Sequence, residues 1–325
     1  MPPSQYGSLS LDVVFNRPGK IYRSGESVSC VALVSSKSDY KADGLFASAR
    51  GCVRLLRGAR PAGDASVLFN PAVGAAAGSA NVQTLEIFAW SSPSDLRPRA
   101  ASSDVTEAGS VKVPFEFKLE PLANKRLHET YHGQRLAVQY SVTCELRRSF
   151  PNKSLVKTTE FIVHLPTTDA PPVGGDSPLA FNITPETSRE AERRTGRFAA
   201  AFSCAGWLGG RRQALHEPIT GELTVERTLM ALESVDLLLV AVERCGAADH
   251  SAAVYERSEV QRTQLVAGQV LGLPVPIHGQ LPRLFTCASV NAPAFGVAFE
   301  LGLQLLFKDG VTATRTFPVE LLRCK

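Results

Sequence analysis

Along most of this chain apolar and polar residues alternate with a period of two, and that rhythm limits the fold more than any other feature. In Val111-Lys-Val-Pro-Phe-Glu-Phe-Lys-Leu119, the odd positions Val111, Val113, Phe115, Phe117 and Leu119 are apolar, while Lys112, Glu116 and Lys118 are charged. The pattern recurs in Leu136–Leu146, Thr159–Leu165, Gly221–Val225, Val297–Phe307 and Thr314–Leu321. Successive side chains of a strand point to opposite faces, so such a run makes one packed face and one wet face. That is the mark of antiparallel sandwiches; strands buried in parallel sheets read as unbroken apolar runs. Val235-Asp-Leu-Leu-Leu-Val-Ala-Val242 alone approaches the unbroken type.

The 325 residues exceed what one ordinary core organises and suit two domains of roughly 150 residues each. The alternating runs fall on either side of Pro166-Thr-Thr-Asp-Ala-Pro-Pro-Val-Gly-Gly-Asp-Ser-Pro178, whose prolines and glycines forbid regular structure. The expected organisation is a first β-sandwich over 1–165, a linker over 166–178 and a second β-sandwich over 179–325. Low-complexity Gly/Ala/Ser/Pro stretches at about 58–80 and 91–109 read as surface insertions in the first. One short helix is expected near the domain junction: Thr184 supplies an N-cap, Pro185 the first helical position and Gly196 a stop, with 186–194 between. No internal repeat of solenoid or propeller period is visible in the sequence. The fold class is all-β, two tandem antiparallel sandwiches with at most that one helix.

Composition removes several function classes. Hydrophobic residues make up 44% of the chain, which excludes wholesale disorder. Lys plus Arg number 35 against 31 Asp plus Glu, a net charge of +4 that lacks the dense positive field of a dedicated nucleic-acid binder. The start, MPPSQYGSLSLDVVF, has no basic stretch followed by an apolar one, and no run approaches the ~20 apolar residues of a membrane-spanning helix. Seven scattered cysteines, none in a CxxC pair, signal neither a disulfide framework nor a thiolate zinc site. The chain reads as cytosolic.

One catalytic motif is present in letters. His128-Glu-Thr-Tyr-His132 is an HExxH string, the zinc-protease signature, whose two imidazoles converge only when they sit one helical turn apart. Gly133 follows at once and a strand pattern begins at Leu136, so the string is expected to be a turn between strands. No Gly-rich phosphate loop with Lys and no GxSxG elbow occurs. Cys245 with His250 could be drawn as nucleophile and base, but a thiol ending an apolar strand reads as buried and inert. Arg50, Arg54, Arg57 and Arg60 read as a solvated strand edge. Neither a cofactor nor a catalytic residue is indicated.

Several separate segments together resemble a known family. Tyr22-Arg-Ser-Gly-Glu-Ser-Val-Ser-Cys-Val31 resembles the first hairpin of arrestin-fold proteins. Glu129-Thr-Tyr-His-Gly133, Glu160-Phe-Ile-Val-His164, Phe181–Thr187, Pro218–Leu223, Val242-Glu-Arg-Cys-Gly246 and Pro282–Cys287 agree in order and spacing with the vacuolar protein sorting 26 family, in its C-type branch. The Ala/Gly-rich insertion and His128, where an aromatic is expected, depart from the pattern.

The resemblance implies an arrestin-like, non-enzymatic subunit of a retriever-type endosomal recycling complex, cytoplasmic and peripheral on endosomes. Its implied partners are a helical-solenoid scaffold subunit and a small metallophosphoesterase-fold subunit, with a sorting-nexin adaptor and membrane cargo tails reached indirectly. It further implies that the second sandwich docks on the scaffold through a strand and loop matching Gln264–Ile277, with Gln264, Leu265, Val266, Val270, Leu271 and Leu273 as contact residues. The residues agree, since 264–280 is uncharged and its Gly and Pro suit an edge strand that offers apolar side chains to another chain. Val275 and Ile277 are expected in the core. Two other readings stand beside this one: an arrestin-fold adaptor that binds receptor tails directly, and a zinc hydrolase using His128, Glu129 and His132.

Overall fold

The structure, a computed structural model, describes residues 9–37, 40–57, 82–96, 105–106, 109–167, 177–188, 202–247, 253–282, 286–308 and 310–324. The stretch 58–80, the centres of 91–109 and of the 166–178 linker, and most of the expected helix lie outside the described residues. The chain forms two compact units. The first gathers Met1–Arg54, Gln83–Thr130 and Ala137–Leu165; the second gathers Leu55–Val82, Tyr131–Leu136 and Pro166–Lys325.

In the first unit, β1 (Ser10–Phe15), β3 (Ser27–Ser36) and β8 (Gly109–Lys118) form a three-stranded sheet. The facing sheet runs β2 (Ile21–Tyr22), β11 (Leu155–Val163), β10 (Leu136–Arg147), β5 (Gly44–Leu56) and β6 (Val82–Ser91). β4 (Tyr40–Lys41) pairs with β7 (Val105–Thr106), and β9 (Tyr131–His132), whose residues count with the second unit, pairs with β10. The expected alternation is what fills this core. Val113, Phe115, Phe117 and Leu119 are buried while Lys112, Glu116 and Lys118 face solvent. Phe15, Tyr22, Tyr140 and Phe117 surround Phe161 with ring centroids 5.7–6.2 Å away. Cys30 and Cys144 are small apolar fillers whose thiols burial pushes up to about 12.

The second unit holds a four-stranded sheet, β12 (Leu179–Ile183), β13 (Phe202–Leu208), β15 (Ile219–Thr228) and β18 (Pro274–Gly279). Its other sheet runs β14 (Arg212–Ala214), β21 (Thr312–Leu322), β20 (Phe295–Phe307), β16 (Leu232–Cys245) and β17 (Val254–Ala267), with β19 (Val290–Ala292) paired to β20. The unbroken apolar run of β16 has its reason here: the strand is central, and Val235 through Leu239 are all buried. Two inward glycines allow close packing of the smaller sheet. A Cβ on Gly206 would strike the Phe181 ring at 2.7 Å, and one on Gly221 would crowd Ile277 at 3.3 Å.

The two units share one strand order. Both larger sheets begin with a short strand laid parallel to its neighbour, β2 on β11 and β14 on β21, and both end on an edge strand, β6 or β17. The remaining strands of the larger and smaller sheets correspond in sequence, with β12 an addition of the second unit and the β4–β7 pair without a counterpart among its described residues. The fold is thus all-β and arrestin-like in its pair of sandwiches, as expected, but not purely antiparallel. A period of two reports which face is buried and says nothing about the direction of the neighbouring strand. Around the expected helix start, Pro185–Thr187 form a turn closed by the Thr187 N–H donating to Thr184 O at 3.1 Å; no helix occurs among the described residues. The basic run is also corrected. β5 lies between β10 and β6, so Arg50 is on the wet face of an interior strand, 3.8 Å from Glu86 across the ladder, and is not on an edge.

Candidate partner-docking site

The predicted contact residues lie where β17 ends and turns into β18. β17 is 14 residues long and bonds to β16 on one side only. Its register against β16 slips twice: Val235 faces Val266 while Asp236 faces Gln264, leaving Leu265 as the extra residue of a β-bulge. A bulge breaks alternation and re-aims a side chain. Leu265 and Val266 are accordingly both half-buried, where a regular strand would expose one of them. Beyond the strand, Gly268 (φ 81°) and Gly272 (φ 73°) take left-handed backbone that other residues adopt at a cost, and these turns bring out the loop between them. Leu271 and Leu273 are 53% and 59% exposed, and Gln264 is exposed. Val270 is buried and offers a partner the least area of the six. Val275 and Ile277 point inward and fill the core.

Charged groups pin this edge to the strands behind it. Arg262 on β17 reaches the buried Asp236 of β16 at 3.0 Å and Glu259 of its own strand at 2.8 Å, and Arg257 pairs with Glu300 of β20. The loop therefore hangs from a strand fixed along its length, which lowers the entropy that a partner must remove on binding.

A second constellation in the same unit was not legible in the sequence. Glu243 is fully buried, and its carboxylate accepts four hydrogen bonds: the Tyr131 hydroxyl at 3.0 Å and the Gln134 N–H at 2.8 Å on Oε1, the Arg135 N–H at 2.6 Å and the Leu136 N–H at 3.0 Å on Oε2. Three successive backbone donors make a nest for the anion. Gly133 is required beside it, since a Cβ there would collide with Glu243 Oε1. On the opposite face of β16, buried Arg244 donates to the carbonyls of Gly246, Ala292 and Phe295 and to Asn291 Oδ1, and ties down the β19 hairpin. Glu243 and Arg244 are both architecture: every oxygen of one and the reach of the other end on the protein's own chain.

The HExxH string is not helical, as the sequence favoured, but neither is it the turn expected there. His128 and Glu129 lie in irregular chain and His132 in β9. Glu129 Oε1 accepts the Leu165 N–H at 2.9 Å, and the His128 backbone is bonded through both N and O to the Tyr140 hydroxyl, at 3.1 and 2.6 Å. The helical turn that zinc chemistry requires is not formed, and among the described residues no cluster of three His, Cys, Asp or Glu could hold a metal. Cys245 is buried and donates to Arg135 O at 3.4 Å, with its thiol pushed up to about 11 chiefly by burial, so it is a poor nucleophile. His250 lies outside the described residues.

The model of the family described as vacuolar protein sorting-associated protein 26 matches residues 16–310. The chain belongs to that family. It is also similar to vacuolar protein sorting-associated protein 26C of Dictyostelium discoideum, with 32% identity over 96% of this chain and 99% of the relative. Family membership over nearly the whole length sets the broad function as protein sorting in membrane traffic. It also sets the C-type member as the comparison for this chain. Among the described residues no helix is long and apolar enough to cross a membrane.

Proposed function

We propose that this member of the vacuolar protein sorting 26 family is a non-enzymatic subunit of a retriever-type endosomal recycling complex, peripheral on the endosomal membrane. It docks on a helical-solenoid scaffold through the end of β17 and the loop into β18. Its two arrestin-like domains, 1–165 and 179–325, are joined by 166–178. A small metallophosphoesterase-fold subunit shares the scaffold, and a sorting-nexin adaptor brings membrane cargo to the assembly. The observation that carries the reading is the exposure of Leu271 and Leu273 beside the Leu265 bulge, on an edge otherwise free of charge from Gln264 to Gln280. Two apolar side chains left half-bare on a loop between two strands are the kind of anchor that protein interfaces use.

The test is recovery of the tagged chain from its native cells, with bound proteins identified and their affinity for the purified chain measured. A helical-repeat partner that is lost with Leu265→Asp or Leu271→Asp, while the melting temperature stays, supports the reading. Recovery of receptor tails bound directly, insensitive to both substitutions, would favour the adaptor function instead.

A further inference from the structure

In the first unit the hairpin between β10 and β11 turns through Arg148-Ser-Phe-Pro-Asn-Lys-Ser154, a segment with two cations and no acid. Phe150 is 96% exposed, the barest large apolar side chain among the described residues, and Pro151, Asn152 and Lys153 beside it are exposed as well. The strand order does not demand this. β20 and β21 hold the same place in the second unit, and their hairpin closes through Lys308-Asp-Gly-Val311, where the Gly310 N–H donates to Phe307 O at 2.8 Å and no aromatic is carried.

The tip is braced from its base. The Asn152 N–H donates to Ser149 O at 3.0 Å, so Phe150 and Pro151 form the apex of a closed turn. Arg148 Nε donates to Lys153 O at 2.7 Å and ties the two arms together, and Ser149 Oγ donates to Asp43 Oδ1 at 2.5 Å. Arg147 lies 4.2 Å over the Phe46 ring and pairs with Glu145 at 3.1 Å. The nearby carboxylates, Asp43 and Glu145, are thus held at the base by Ser149 and Arg147, and the apex carries none. A bare ring on such a turn gains by leaving water. A protein interface of ordinary size needs about 800 Å² of matched surface on each side, far more than one protruding ring offers. Lipid headgroups part around a single ring without a matched surface, and an anionic leaflet attracts the cations beside it.

From this we infer that the β10–β11 tip is a lipid-contacting loop: Phe150 enters the headgroup layer of an anionic membrane while Arg148 and Lys153 lie at its surface. The inference deepens the peripheral membrane location proposed above, on which it rests for its setting, and does not depend on scaffold docking. One ring and two charges bind weakly alone and act in concert with the other contacts of a membrane-bound assembly.

Sedimentation of the purified full chain with sucrose-loaded vesicles, at millimolar lipid and low salt, tests it. Vesicles of phosphatidylcholine alone are compared with vesicles carrying about 30% phosphatidylserine. Binding should need phosphatidylserine, fall about tenfold with Phe150→Ser and fall at least about fivefold with Lys153→Glu, the melting temperature staying unaltered. Phe150→Trp should bind at least as well as the parent chain, and its added emission, above that of Trp90 and Trp207, should be quenched by lipids brominated on the acyl chains. Absence of sedimentation, sedimentation that Phe150→Ser leaves unchanged, or added emission that brominated lipid does not quench would each overturn the inference. In the native assembly on membranes, a photoreactive phenylalanine analogue at position 150 should cross-link to lipid; cross-linking to protein instead would mean a partner's pocket and would also overturn it. Phe150→Ser should leave recovery of the scaffold unchanged, so the docking reading stands or falls separately, on Leu265 and Leu271. Vesicle binding through Phe150 by a chain that cell fractionation finds away from endosomes would sink the proposed location and keep the lipid contact.

Discussion

Strand β8 of the first unit and strand β18 of the second occupy the same place in the same strand order, each at the edge of the smaller sheet. Both carry proline where the backbone faces outward, Pro114 in one and Pro274 with Pro276 in the other. The remaining outward side chains diverge. On β8 they are Ser110, Lys112, Glu116 and Lys118, whereas on β18 His278 is the only outward side chain besides the prolines. One topology thus carries an edge strand with charged outward side chains in the first unit and one with two prolines and a histidine in the second. Fold fixes where an edge lies, and the residues on that edge decide whether water or another protein covers it.

The units also differ in how they hold the chain leading into β10. In the second, buried Glu243 gathers Tyr131 and three backbone N–H groups; in the first, the neutral Tyr140 hydroxyl holds the His128 backbone. A charged acceptor with several donors is worth more than a neutral one and costs more to remove. The largest effect expected is therefore from Glu243→Ala, which leaves four donors unsatisfied and should cost about 3–5 kcal/mol in denaturant unfolding. A loss under about 1 kcal/mol would show that water replaces the carboxylate and that the nest is incidental. Next, Leu271→Asp combined with Leu273→Asp should weaken partner binding at least about 100-fold, while Lys112→Glu on the counterpart strand should change it less than about twofold. Equal effects would erase the distinction between the two faces.

Tyr140→Phe should cost about 1–2 kcal/mol, the ordinary value of a buried neutral hydrogen bond whose partner stays behind. The smallest effect is a pH dependence from His128. Burial, with Arg126 adding to it, holds its imidazole below the ordinary 6.5, so the folded state takes up the proton later than the unfolded one. That contribution to stability is whole above 6.5 and is lost as pH falls below it, with a slope of at most about 1.4 kcal/mol per pH unit. His128→Phe should flatten the slope between about pH 7 and 5, read from unfolding midpoints. A slope that persists would assign it to other groups.

The alternation of residues such as Val111–Leu119 was enough to give strand, buried face and class, because burying one side of a pleated strand requires that spacing whatever the neighbours are. It also placed Val275 and Ile277 in the core and kept the HExxH letters out of a helix. Other matters depend on which strand lies beside which. Parallel pairing of β2 and β14, the interior place of β5 and the bulge at Leu265 are set by the partner strand, which leaves no mark at the residue itself. Glu243 is the clearest case. In the sequence it is an ordinary carboxylate in Val-Glu-Arg-Cys, about a hundred residues from its donors, and only the folded second unit brings three N–H groups and a phenol to it. Local chemistry determined what each strand could be; the long-range contacts, each of which costs loop entropy to close, decided what its side chains would meet.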